Sequence, residues 1–240
     1  TTVRKSIERS EKINKKYNNI IITHIQKPIY RKDFDYLIII RNPISRAQSA
    51  FNWRKKNVMD KSKKHNLNKI FIENEYRIIK KYNYFNTLCE KLITKEGKLD
   101  LNVSKDFMSI HHLYQDISYY LDDLLKKIKP KQIYGVIKQY NLNKDCKQLL
   151  GGIVLKKFKY NPINNIDLES TVDNKNSRSE QLKISSPNNL SKRGLSNIKL
   201  FLHKDFLCIS SLHQLKAISE TEMNELNTFN NKELSNFKIY

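Results

Sequence analysis

At 240 residues the chain is long enough to bury a full core and is of normal length for one α/β domain; 45 Lys plus Arg against 24 Asp plus Glu give it a net charge of +21. That charge favours anionic partners, but it is scattered over short runs of the solvated-helix kind, and in a Lys-, Asn- and Ile-rich chain with only five Gly and five Pro it follows equally from AT-rich coding. Three cysteines at wide spacing, Cys89, Cys146 and Cys208, with no Cys-x-x-Cys pair, exclude a disulfide scaffold and a zinc knuckle and point to reduced, partly buried thiols.

Residues 1–16 set Val3, Ile7 and Ile13 on one side of a basic segment and predict an amphipathic helix, ended by Asn18-Asn19. The β-branched run 20–25 predicts a short strand stopped by Pro28, and Tyr36–Ile40 predicts a second. A helix follows over 44–58 with Ala47, Phe51 and Val58 toward the core. Helical spacing returns over 67–93 and again over 111–128, which Pro130 closes. Residues 132–137 predict a third strand, and 143–150 a short helix ended by Gly151-Gly152. Residues 160–191, rich in Asn and Ser, read as a long surface loop or a cofactor-covering segment. Residues 190–215 are helical with a break at Asp205, and 218–240 read as a polar tail. Strands alternating with helices predict parallel pairing through crossover helices.

The segment Tyr-Leu-Ile-Ile-Ile-Arg-Asn-Pro-Ile-Ser-Arg-Ala-Gln-Ser-Ala-Phe over 36–51 carries the most chemistry. A buried strand ends at Arg41, Asn42-Pro43 breaks it and opens a helix, and Ser49 follows eight residues after the arginine. Such a turn holds a phosphate well: the guanidinium supplies a planar fork, the serine a neutral donor, and the helix N-terminus free N–H groups. The same residues also fit a strand ending in a solvated arginine. His111-His112 does not read as a metal site, because neighbouring residues on a helix point about 100° apart. Trp53, Tyr17 and Tyr30 are aromatic enough to stack on a base, yet fit a core or half-buried role as well.

This segment resembles the 3′-phosphate motif of sulfotransferases that use 3′-phosphoadenosine 5′-phosphosulfate, and the resemblance assigns Arg41 and Ser49 to the 3′-phosphate. Thr1-Thr2-Val3 is similar to the end of the family's phosphosulfate loop and implies that Thr1 and Thr2 hold the 5′-phosphate. The loop's Lys and Gly, with the first strand, then lie upstream of Thr1, in keeping with the absent initiator Met. Ile22-Thr23-His24 resembles the strand end whose His accepts the acceptor's proton, which makes His24 the implied general base. The family's Lys two residues earlier is Ile22 here, so its charge must come from Lys27, Arg31 or the upstream loop. Residues 132–151 and the block from Leu190 resemble the late strand and helices of the carbohydrate-directed group, with Lys138 where an acid is common. That likeness makes Lys175, Arg178, Lys192 and Arg193 candidates for a cap over the nucleotide.

The resemblance therefore implies one three-layer α/β/α domain over 1–217, with a central parallel sheet of the P-loop kinase-like type, and a tail over 218–240. Its reaction would move a sulfuryl group from the phosphosulfate donor to a hydroxyl of an acceptor, a glycan and possibly an anionic one, without a metal. Nucleic acid is not favoured as a partner. With no apolar run near the roughly 20 residues that span a bilayer, and no signal peptide in view, a cytoplasmic location is expected. Three rivals remain: a degenerate relative that binds nucleotide without turnover, a basic nucleic-acid-binding module resting on charge alone, and a phosphotransferase of the same fold. The last needs a magnesium-binding acid that the sequence does not place at the strand ends.

Overall fold

A computed structural model describes residues 2–23, 26–59, 69–151 and 189–229. Two strands, β1 (Tyr36–Ile40) and β2 (Ile133–Lys138), pair in parallel with Ile40 opposite Lys138, so both chains leave the sheet at the same end. Eleven helices surround them among the described residues: α1 (Thr2–Glu8), α2 (Glu11–Lys16), α3 (Pro43–Met59), α4 (Lys69–Tyr82), α5 (Phe85–Lys91), α6 (Leu101–Ser109), α7 (Ile117–Leu125), α8 (Leu142–Leu150), α9 (Lys192–Phe201), α10 (His203–Gln214) and α11 (Glu220–Asn227). None of them is long and apolar enough to cross a membrane.

Alternation along the strands distributes side chains to two cores, as the period of 2 requires. Ile38, Ile40 and Val136 pack with Leu121 and Leu124 of α7, Ile209 and Leu212 of α10 and Leu226 of α11. Leu37 and Ile137 face the other way, toward Ile7, Ile13, Cys146 and Leu150 of α1, α2 and α8. Helices thus cover both faces of a two-stranded parallel sheet. A third core is wholly helical: Ile44, Ala47 and Phe51 of α3 meet Ile78, Ile79 and Tyr82 of α4, Phe85 and Leu88 of α5, Phe107 of α6 and Ile198 of α9. The helix α3 joins the two regions, starting at the sheet and running into the helical core. All three cysteines are free and buried.

Several sequence expectations need correction. The N-terminal helix is broken into α1 and α2 because Ser10 caps the second, accepting from Ile13 N at 3.2 Å while its hydroxyl donates to Leu150 O at 2.6 Å. Residues 20–23 belong to no strand: Ile20 and Ile21 are 36 % and 52 % exposed, and an apolar run without a neighbour for its backbone groups does not become a sheet. The stretch 111–128 is helical only over α7, and α6 forms where no helix was predicted, on the side-chain cap of Asp100. The break in the last helical block falls at Leu202, and Asp205 lies inside α10. The expected tail from 218 holds α11, started by the capping box of Ser219 and Glu222 and anchored by fully buried Leu226. Gly151 ends α8 with φ +79°, as predicted.

Candidate functional site

Where β1 ends, Asn42 organises the turn. Its Oδ1 accepts from Ser45 N at 2.9 Å, its carbonyl accepts from Arg46 N at 2.9 Å, and its Nδ2 donates to Leu226 O at 2.7 Å and Thr228 O at 3.2 Å. Pro43 stands at the first helical position, where its missing N–H costs nothing. Of the first-turn amides Pro43 has none and that of Ser45 is taken, so of the free helix N-terminus expected for an anion only Ile44 N remains.

Arg41 is half-buried and, among the described residues, makes no hydrogen bond or ion pair. Burial, reinforced by the nearby charge of Arg46, lowers its pKa to about 10. Arg46 itself is shifted down by burial and partly restored by the carboxylates of Asp205 and Asp116. Its Nη2 donates to His112 O at 3.2 Å. Ser49, also half-buried, lies one turn further along α3 than Arg46, on the same side of the helix. Arg41, Arg46 and Ser49 thus lie at the entry of α3, two cations and a hydroxyl, with Arg41 unanswered by any carboxylate among the described residues.

Behind them, Asp205 accepts from Ile117 N at 3.2 Å and Ser118 N at 2.8 Å, and Asp116 caps α7 through Tyr119 N at 2.7 Å. Burial, and then the neighbouring Asp116 carboxylate, push the Asp205 carboxyl well above the usual carboxylate range. At the end of β2, Lys138 is buried but saturated: its Nζ reaches Glu222 Oε1 at 2.7 Å and Asp145 Oδ2 at 3.2 Å. The sequence had placed no acid at the strand ends. The fold brings Asp145 and Glu222 there, and Lys138 bridges the two carboxylates.

The other expected site residues are dispersed. His24, Thr1, Lys175 and Arg178 lie outside the described residues, and Thr2 opens α1. Lys192 and Arg193 are exposed on α9, where Arg193 Nη2 donates to Ile93 O at 3.3 Å beside Glu90, Lys91 and Asp100, against the helical core rather than the sheet end. Lys27 pairs with Asp123 at 3.4 Å and covers the Tyr119 ring; the Arg31 guanidinium lies over Phe34. Tyr17 bonds Asp35 and meets Tyr134 edge-on, Tyr30 stacks on Tyr36, and Trp53 is half-buried on α3. The His111 and His112 rings lie 4.0 Å apart, and among the described residues no group of three His, Cys, Asp or Glu could hold a metal ion.

No family model, curated protein or solved structure matches the chain. Sequence reasoning missed Arg46, whose signal was its spacing three residues before Ser49. It also missed the Lys138 cluster, whose members are too far apart in sequence to announce each other.

Proposed function

We propose that this chain is a sulfotransferase of the three-layer, P-loop kinase-like type, which binds 3′-phosphoadenosine 5′-phosphosulfate and sulfates a hydroxyl of a carbohydrate acceptor. The single observation that carries the reading is Arg41: a half-buried guanidinium without a hydrogen-bond or ion-pair partner among the described residues, at the end of a parallel strand, two residues before a helix that presents a serine. A desolvated cation left unpaired is costly, and a phosphate that arrives with the ligand removes that cost. In this reading Arg41 and Ser49 grip the 3′-phosphate and Thr1 and Thr2 take the 5′-phosphate. His24 accepts the proton of the acceptor hydroxyl, and Lys175 and Arg178 close over the nucleotide. Bound donor supplies the activated sulfuryl group; the chain's own residues orient the two reactants and hold the proton. Ile22, standing where a lysine would neutralise the sulfuryl group, favours a second reading, a protein that binds the nucleotide without turning it over.

Calorimetric titration with 3′-phosphoadenosine 5′-phosphate tests both readings. Binding that Arg41→Ala weakens, with the 5′-phosphosulfate lacking a 3′-phosphate bound equally by mutant and parent, supports the site; no binding by the parent sinks it. A sulfuryl-transfer assay with an acidic glycan then separates enzyme from binder. In an active enzyme His24→Gln cuts turnover by at least about 10²-fold and leaves nucleotide affinity within a few-fold.

A further inference from the structure

Arg46 stands between the two residues assigned to the 3′-phosphate. It follows Arg41 by five residues and precedes Ser49 by one helical turn, and its charge is close enough to Arg41 to be felt there. Resting on the reading of this site as a phosphate site, we propose that Arg46 is a third ligand of the same phosphate, so that the site selects a dianion with two guanidiniums rather than a monoanion with one.

The hydrogen bonds around Arg46 support this role. Of five guanidinium donors it uses one among the described residues, Nη2 to His112 O. Asp116 and Asp205 attract it, yet among the described residues neither accepts a hydrogen bond from it: Asp205 accepts from Ile117 N and Ser118 N, and Asp116 Oδ1 from Ser118 Oγ and Tyr119 N. Arg46 is thus held in place by charge, with donors to spare. Of the first-turn helix amides, Pro43 has none and Ser45 N is spent on Asn42, which leaves Ile44 N as a single backbone donor. Lys138, the other cation at this end of the sheet, is occupied by Asp145 and Glu222. A tetrahedral oxyanion arriving at the α3 entry therefore finds its side-chain donors on Arg41, Arg46 and Ser49. Two like charges kept together in a half-buried turn are best answered by a ligand carrying close to two negative charges, as a phosphate monoester does above its second pKa of about 6.

The test titrates the full chain, above that pKa, with inorganic phosphate and separately with 3′-phosphoadenosine 5′-phosphate. Arg46→Gln is expected to weaken inorganic phosphate by at least about tenfold, and Arg46→Lys to recover part of the loss because charge returns without the planar fork. Should the variants fold poorly, arginine modification by phenylglyoxal reads the native protein: phosphate is expected to protect Arg41 and Arg46 together. If Arg46→Gln binds phosphate like the parent, or if phosphate protects Arg41 alone, Arg46 is not a ligand, and the single-arginine site survives without it. If both arginines are needed for inorganic phosphate but the nucleotide binds no tighter than phosphate, the two-arginine site stands and the nucleotide reading falls. Protection of neither arginine overturns both.

Discussion

The helical core and the open end of the sheet treat charge in opposite ways. In the helical region Arg54 and Glu75, both buried, form a two-pronged ion pair, and Glu75 Oε1 also accepts from His111 N at 2.6 Å. Lys55 gives its ammonium to Asn83 O and Oδ1 at 2.6 and 2.9 Å. Glu90 accepts from Ser191 and Asn86, and Asn197 spans Cys89 O and Glu90 O. At the sheet end Lys138 obeys the same rule, but Arg41 does not. Since an unpaired buried charge costs free energy and a paired one largely repays its desolvation, the first kind persists where something outside the fold completes it. Arg54 is answered within the fold; Arg41, among the described residues, is not, and on the proposed reading a ligand answers it.

Removing each arginine should expose the difference. Arg54→Ala leaves Glu75 buried with its charge unanswered and is expected to cost about 3–5 kcal/mol in denaturant unfolding, whereas Arg54→Met combined with Glu75→Leu should cost less, about 1–3 kcal/mol for the His111 N–H that loses its acceptor. A loss below about 1 kcal/mol for the single change would break the comparison. Arg41→Ala is expected to leave unfolding stability unchanged or slightly raised while weakening the 3′-phosphorylated nucleotide by about 2–4 kcal/mol in calorimetry. Equal losses of stability and affinity would show that Arg41 is structural after all.

Smaller effects sharpen the same contrast. A methyl at Gly194 would lie 2.4 Å from Asn86 Oδ1, the atom that holds Ser191 N, so Gly194→Ala should cost about 1–3 kcal/mol in thermal unfolding without touching phosphate binding. The weakest signal is a pH dependence from Asp205, which faces Asp116, Arg46, Cys208 and the amides of Ile117 and Ser118. Its folded pKa is raised, so the folded state binds the extra proton and stability falls as pH rises above the ordinary aspartate value of about 4. The slope should stay below about 1.4 kcal/mol per pH unit, the value for one full proton, and Asp205→Asn should flatten it. A stability profile that rises over that interval in the parent and is unaltered in Asp205→Asn would contradict the assignment.

Where local chemistry decides, the sequence was readable. An apolar β-branched run with Asn-Pro behind it marked β1 and the start of α3, and Gly151 marked the end of α8. Arg41 and Ser49 could be placed at a strand end and on the following helix from spacing alone. What escaped depended on distant partners. The run from Ile20 has the composition of a strand, but composition supplies no neighbour. The helix α11 reads as polar because a single leucine carries most of its anchorage, although Ser219-x-x-Glu222 was a usable start signal. The pairing of Lys138 with Asp145 and Glu222, and the hold of Asp116 and Asp205 on Arg46, join residues from different elements that only the folded chain brings within reach.

Asn42 has a consequence for the order of assembly. Its amide oxygen starts the helix that carries the site, while its amide nitrogen holds carbonyls 184 and 186 residues further on. Contacts of such separation form late, after the entropy of closing a long loop has been met. During synthesis the turn beside Arg41 therefore stays unfastened until residues 226–228 have left the ribosome and docked. A nascent or clipped chain can carry Arg41, Arg46 and Ser49 and still lack the clasp that holds their turn in shape.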